Sequence, residues 1–124
     1  MSLTQCYAHM GGNLSDVRGR MPSDSFIQRF ALAFLDDPSF DAMVRAWERG
    51  DVAEAFRGAH TLKGICGDLG FTGLYETSCA LTDALRPGED GLPRDVEAVP
   101  ALLQGVCDAY ALTVEAISLI DRSG

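Results

Sequence analysis

The residues of this sequence best suited to chemistry are His60 and Lys63, which lie in the stretch AHTLKG. Residues three and four positions apart are neighbours on one face of an α-helix, so a helix would place both of them beside Gly64 and Gly67. This face would carry a titratable imidazole, a cation and two residues without side chains. A glycine in a helix interior costs about 1 kcal/mol relative to alanine, which a helix accepts most readily where something must approach its backbone.

The run from Asp51 to Gly70 has the features of the helix that must position these residues. Asp51 predicts the N-cap, with Glu54 three residues later as its capping-box partner. Gly70 predicts the helix end, because glycine adopts the left-handed conformation at low cost. The opposite face is apolar at heptad-like spacing and is expected to face a core: Ala55, Ala59, Leu62, Cys66 and Leu69.

The segment His60 to Gly64, preceded by alanine and followed by a helix-ending Leu-Gly, resembles the signature of histidine-containing phosphotransfer (HPt) domains. The similarity covers most of residues 14–120 and extends to further stretches: Phe34 to Asp37, Gly50-Asp51, Ala55 and Leu81 to Arg86. The resemblance implies an all-α fold, an antiparallel up-down four-helix bundle, here with short extra N-terminal helices. It also implies a phosphorelay role, in which a histidine exchanges a phosphoryl group with the aspartate of a response-regulator receiver.

On this resemblance, His60 is the phosphorylated residue and Lys63 stabilises the phosphoryl group. The residues expected to dock the partner are Phe56, Arg57, Gly64 and Gly67. The partner would be a receiver domain, a hybrid histidine kinase or both, and would supply the aspartate and Mg²⁺, so the chain itself needs no cofactor. The sequence has no Gly-rich phosphate loop or kinase-like nucleotide signature, which indicates a phosphoryl carrier without kinase activity of its own.

Two other interpretations of the same residues stay open at this point. One is a helical module that docks a signalling partner through this surface without phosphotransfer. The other is a metal or haem site built on His60 and Cys66, although residues six apart on a helix point to different faces. Asp68 also departs from the amide residue that the family resemblance leads us to expect at its position.

Length and composition fit one helical domain spanning 1–124, with 47% hydrophobic residues and a net charge of −8. This charge argues against nucleic acid and anionic membranes as partners, because both require clustered Lys and Arg. We find no apolar run of about 20 residues that could span a membrane and no signal peptide, so a cytoplasmic monomer is expected. The four cysteines form no CxxC pair, which favours buried thiols in a reducing compartment.

Apolar spacing and capping residues divide the chain into helices. Their expected ranges are about 4–10, 13–21, 24–36, 38–49, 51–69, 72–86 and 95–121. The first two are expected to be accessory to a bundle core at about 24–121, and the Pro- and Gly-rich segment 86–94 is a loop. On the third helix, the residues expected to face inward are Ile27, Phe30, Phe34 and Leu35. Asp37 is the expected N-cap of the fourth helix, with Pro38 at its first position.

The last two helices each carry an apolar stripe at spacings of three and four, which predicts a buried face. On the first of them the stripe is Phe71, Leu74, Ser78, Leu81 and Leu85. On the second it is Val99, Leu103, Val106, Tyr110, Thr113, Ile117 and Ile120.

Overall fold

The computed structural model describes residues 1–122, which fold into helices joined by short connections. The helices are α1 (Leu3–Met10), α2 (Leu14–Arg18), α3 (Asp24–Ala33), α4 (Ser39–Glu48), α5 (Val52–Leu69), α6 (Thr72–Leu85) and α7 (Val99–Ser118). A 3₁₀ turn at Phe34–Asp36 follows α3. Residues 1–122 contain no β-strand, so the predicted all-α class is confirmed. None of these helices combines the length and the apolar character that crossing a membrane would need.

Helices α4 to α7 form the bundle that positions the candidate site. Helix α5 packs between α4 and α6, and α6 packs on α7. The ring of Phe40 on α4 stacks on Tyr110 of α7, with ring centroids 3.8 Å apart, and this contact closes the bundle. The predicted four-helix bundle is therefore confirmed.

The interior follows the periodicity of the sequence on the last two helices. The predicted stripe of α6 is buried along its whole length: Phe71, Leu74, Ser78, Leu81 and Leu85. The stripe predicted for the last helix is buried at four positions of α7, Val99, Val106, Thr113 and Ile117, and at Ile120 just beyond its end, whereas Leu103 and Tyr110 are partly buried. Burial of these stripes supplies the main stabilisation of helices that would be marginal alone in water.

Three expectations are corrected by the structure. Phe30 was expected to face inward but is 44% exposed, because the inward positions of α3 are taken by Ile27 and Ala31, and Phe30 lies at the edge of this stripe. The last helix begins at Val99 and not at 95, since the Asp95 carboxylate accepts a hydrogen bond from the N–H of Ala98 in a turn before the helix, at 3.3 Å.

The cap of α4 also differs by one residue from the prediction. Asp37 was expected to be the N-cap, with Pro38 at the first helical position. In the structure Pro38 is itself the cap residue and the helix begins at Ser39. The Asp37 carboxylate still accepts a hydrogen bond from the N–H of Ser39, at 2.8 Å, so its side chain satisfies a backbone donor that the start of a helix leaves free.

The N-terminal helices were expected to be accessory, yet they pack directly on the bundle. Helix α1 lies against α7 and contributes buried side chains, including Cys6, Tyr7 and Met10. Val17 of α2 is also fully buried. These helices therefore complete the hydrophobic core of the described chain.

The same N-terminal segment closes the end of α5. The hydroxyl of Tyr7 donates a hydrogen bond to the carbonyl of Leu69 at 2.6 Å. The guanidinium of Arg20 donates to the carbonyls of Gly67 and Asp68 at 3.0 and 2.7 Å. The last carbonyls of a helix have no partner within the helix, so these contacts satisfy groups that would otherwise need water. They fix the position of α5 relative to the rest of the chain.

Candidate functional site

The helix that carries the candidate site begins and ends as its sequence predicts. The Asp51 carboxylate accepts a hydrogen bond from the N–H of Glu54 at 3.1 Å, and Gly70 ends the helix with φ of +68°. The expected reciprocal half of the capping box is not among the hydrogen bonds of the described chain, because the Glu54 carboxylate pairs with the Arg57 guanidinium. A single side-chain cap and a left-handed glycine are thus sufficient to define α5.

The two faces of α5 have the predicted division between core and solvent. The apolar face is buried at all five expected positions: Ala55, Ala59, Leu62, Cys66 and Leu69. On the opposite side His60 is exposed, as are Thr61 and Gly64. The bundle therefore holds the imidazole of His60 at its surface, near the middle of a long helix that cannot easily shift.

The ring of Phe56 lies beside the imidazole, one helical turn earlier. The two ring centroids are 6.1 Å apart and the planes are inclined by 50°. Phe56 is partly buried against the core, and the guanidinium carbon of Arg86 lies 5.0 Å from its ring centroid. Arg86, at the end of α6, thus belongs to the surroundings of the site. Arg86 was not among the site residues expected from the sequence, although it follows the apolar stripe of a helix predicted to run antiparallel to α5.

The two cations predicted near His60 differ in how they are engaged. Lys63 is half-buried and makes no hydrogen bond or ion pair with another residue of the described chain. Arg57 is exposed and paired with Glu54. An ammonium without an internal partner keeps its charge available, so Lys63 is the better placed of the two to attract an anion near His60.

The predicted glycines Gly64 and Gly67 have different surroundings. A Cβ atom added to Gly64 would meet nothing within 4 Å, so the surface at this position is open. A Cβ added to Gly67 would lie 3.1 Å from Cε1 of Tyr75 on α6. The absence of a side chain at Gly67 therefore makes room for an aromatic ring of the same chain, which is a sufficient reason for glycine there without a partner.

A third glycine of α5, which sequence reasoning did not single out, sets the distance between α4 and α5. A Cβ added to Gly58 would lie 2.8 Å from Cβ and 3.0 Å from Cα of Met43. The two helices therefore touch almost backbone to backbone at this level. A groove of about 500 Å³ runs beside the contact and is lined by Pro38, Ser39, Asp41, Ala42, Arg45, Arg49, Glu54, Arg57, Gly58 and Thr61.

The arrangement of Cys66 and His60 does not favour a shared metal or haem site. Cys66 is fully buried whereas His60 is exposed, and burial raises the pKa of the Cys66 thiol to about 12, which disfavours the thiolate that binds metals. Residues 1–122 also contain no group of three or more His, Cys, Asp or Glu residues placed to hold a metal ion. All four cysteines are free thiols.

Asp68, which departs from the residue expected in the family, is exposed. Its backbone carbonyl, and not its carboxylate, accepts a hydrogen bond from Arg20.

Comparison with known proteins assigns the chain to a family. Residues 36–109, which include α4, α5 and α6 and the first half of α7, match the family model described as Hpt domain. No curated protein matches the chain, and no solved structure does. The match covers more than half of the sequence and agrees with the helical bundle, so it confirms the resemblance seen in the sequence. The chain therefore belongs to the Hpt domain family, whose members act as phosphocarriers in two-component relays.

Proposed function

We propose that this protein is a phosphorelay intermediate that carries a phosphoryl group on His60. One observation carries the proposal: an exposed imidazole lies on the open face of α5, with the unpaired ammonium of Lys63 one turn later and open space at Gly64. Phosphoryl transfer requires in-line positioning and charge stabilisation more than covalent work by the protein. A rigid helix that presents one nucleophile and one cation is sufficient if the partner supplies the rest.

In the proposed transfer step, His60 Nε2 is the nucleophile. In its neutral form this nitrogen attacks the phosphorus of an aspartyl phosphate on a receiver domain. The N–P bond forms as the P–O bond to the aspartate breaks, and the aspartate leaves as a carboxylate whose charge Mg²⁺ in the receiver can balance. Lys63 attracts the phosphoryl oxygens while their charge is redistributed. The reverse step passes the group to a second receiver, and no nucleotide is consumed.

The experiment incubates the protein with receiver domains from the same genome, each phosphorylated with acetyl phosphate and Mg²⁺. We expect acid-labile label on the wild type and none on His60→Gln, because glutamine removes the nucleophile from an exposed position and leaves the core unchanged. The chain offers a matched control in His9, its only other histidine, whose Nε2 lies 3.0 Å from Oε1 of Glu115 on a different part of the surface.

Each result has a clear meaning. His9→Gln should label like the wild type. Label retained on His60→Gln would move the phosphorylated residue elsewhere and contradict the assignment. A wild-type protein that binds the receivers but takes no acid-labile label would instead support the alternative of a docking module without phosphotransfer.

A further inference from the structure

The two sides of the exposed face of α5 differ in the positive charge that they leave for a partner. Three arginines lie toward α4, and each is close to an acid: Arg45 to Asp41 at 2.9 Å, Arg49 to Asp51 at 3.6 Å, and Arg57 to Glu54. Internal pairing largely cancels their charge. The groove on this side is lined by three arginines and two acids. Asp51, next to the groove, pairs with the third arginine, so this side is close to neutral.

The opposite side, toward α6, carries cations that are less engaged. We call this the α6-side margin and define it by Phe56, Lys63, Tyr75 and Arg86. Lys63 has no ion pair in the described chain, and Arg86 reaches only Asp83, at 3.8 Å, with both side chains more than half exposed. The margin therefore has two cations against one paired acid, Asp83, whereas each arginine on the α4 side has an acid partner of its own, so positive charge is in excess next to His60.

The backbone fixes Arg86 while its guanidinium stays accessible. Its carbonyl accepts a hydrogen bond from the N–H of Arg94 at 2.9 Å, and an isolated antiparallel bridge joins Pro87 to Pro93. These contacts close the loop at its base and hold Arg86 where α6 ends. The side chain then extends across the helix boundary to the ring of Phe56, the same ring that lies beside the imidazole.

We propose that the α6-side margin contacts the acidic rim of the docked receiver domain, and that Arg86 is its anchor. This inference rests on the proposed function, in which a receiver aspartate must reach His60. The receiver's site binds Mg²⁺ through carboxylates, and a guanidinium pairs with carboxylates through two parallel hydrogen bonds. The margin also carries Tyr75 and Phe56, and aromatic residues and arginine are typical of the positions that contribute most to binding.

The position of Arg86 indicates which kinetic parameter it controls. It contacts Phe56 and not the imidazole, so one aromatic ring separates it from the reacting nitrogen. Arg86 should therefore strengthen association of the receiver without touching the phosphoryl group. Lys63, one turn from His60 on α5 itself, is placed to affect the chemical step.

The test compares Arg86→Ala with Arg45→Ala, a matched control that removes the same charge from the α4 side. The probe is the acetyl phosphate-treated receiver that labels the wild type fastest. We expect Arg86→Ala to raise KM for this receiver about tenfold, the size expected from loss of one charge-assisted contact. The kcat and the hydrolysis rate of isolated phosphohistidine should not change. Salt should also affect KM less in this variant than in the wild type, because one ionic contact is missing.

Arg45→Ala should change KM less than twofold and retain the wild-type salt dependence. Phe56→Leu should raise KM to a lesser degree than Arg86→Ala, since it removes the aromatic support but keeps the charge. Arg86→Lys keeps the charge and loses the planar fork, so an intermediate KM is expected. This variant carries the test if circular dichroism shows that Arg86→Ala has lost helicity.

Two results would overturn the inference. Equal KM values for Arg86→Ala and Arg45→Ala would place the docking anchor elsewhere. If Arg86→Ala instead lowered kcat or sped up phosphohistidine hydrolysis with KM unchanged, Arg86 would act on the phosphoryl group. Both measurements start from a wild-type protein labelled on His60. Absence of that label would contradict the proposed function itself, so the two failures are distinguishable.

Discussion

The two sides of α5 both pack closely on a neighbouring helix, but they differ in the positive charge that they leave unpaired. Toward α4, Gly58 brings the helix almost into backbone contact with Met43, and the arginines around the groove pair with acids of the same chain. Toward α6, Gly67 accommodates the ring of Tyr75, and Lys63 and Arg86 keep most of their charge available. The difference is the basis for proposing the α6 side as the one that a partner contacts.

Three glycines of α5 look alike in the sequence but have different surroundings in the structure. Gly58, Gly64 and Gly67 all lie inside α5, where glycine lowers helix stability relative to alanine. Gly58 lies against a backbone, Gly67 against an aromatic side chain and Gly64 against open solvent. Only Gly64 therefore has surroundings that leave its role to a partner, which supports a docking surface centred between His60 and Gly64.

The largest expected effect tests whether Lys63, which is unpaired, contributes more to transfer than Arg57, which is paired. Lys63→Ala should leave His60 phosphorylatable but slow transfer in the docked complex by roughly 10- to 100-fold, because a charge-assisted contact contributes about 1.5–3 kcal/mol and each 1.36 kcal/mol is a factor of ten in rate. Single-turnover transfer from a phosphorylated receiver measures this effect. The isolated phosphohistidine should also hydrolyse faster, by a smaller factor.

Arg57→Ala removes a cation that is already paired, so it should slow transfer less than Lys63→Ala does. The reverse order would contradict the distinction between engaged and available charge. Unchanged rates in Lys63→Ala would reduce Lys63 to a solvated surface residue.

A stability measurement tests the close packing of α5 on α4. Alanine at Gly58 would gain about 1 kcal/mol of helix propensity, but its Cβ would press on the Met43 backbone, and overpacking of this kind costs about 1–3 kcal/mol. We therefore expect Gly58→Ala to lower the free energy of unfolding by up to about 2 kcal/mol. The matched control, Gly64→Ala, has open space and should raise it by up to about 1 kcal/mol.

Urea unfolding followed by circular dichroism measures both variants under the same conditions. Opposite signs are the expected outcome. A Gly58→Ala variant as stable as Gly64→Ala would show that α4 and α5 can separate at little cost, and that the contact with Met43 does not determine their spacing.

The substitution with the smallest expected effect on the folded protein tests the open surface at Gly64. Gly64→Gln should stabilise the helix slightly, by less than about 1 kcal/mol, yet it should impair transfer because its side chain occupies the space beside His60. Receiver kinetics and thermal unfolding, measured on the same sample, check both parts. Normal transfer with a stable helix would mean that the partner does not approach over Gly64.

Much of the site could be predicted because its determinants are local. Asp51 and Gly70 define the ends of α5 through hydrogen bonds and backbone conformation within a few residues of themselves. The period of the apolar residues then fixes which side is buried, and His60, Lys63 and Gly64 fall on the other side by spacing alone. The same reasoning predicted the buried stripe of α6.

The tertiary structure decided what depends on residues far apart in the chain. The contact with Met43 explains the glycine at position 58, and the contact with Phe56 places Arg86 near the site. Neither contact follows from spacing within one helix. Arg20 and Tyr7 reach the end of α5 across sequence separations of 47 and 62 residues. Phe30 is exposed because Ile27 and Ala31 take the inward positions of α3. The sequence by itself therefore determined most of the helices, the buried faces of α5 and α6 and the candidate nucleophile, because these are short-range properties. The packing of one helix on another decided how closely α4 approaches α5 and which charged side chains stay unpaired. Both depend on the shapes of two surfaces at once.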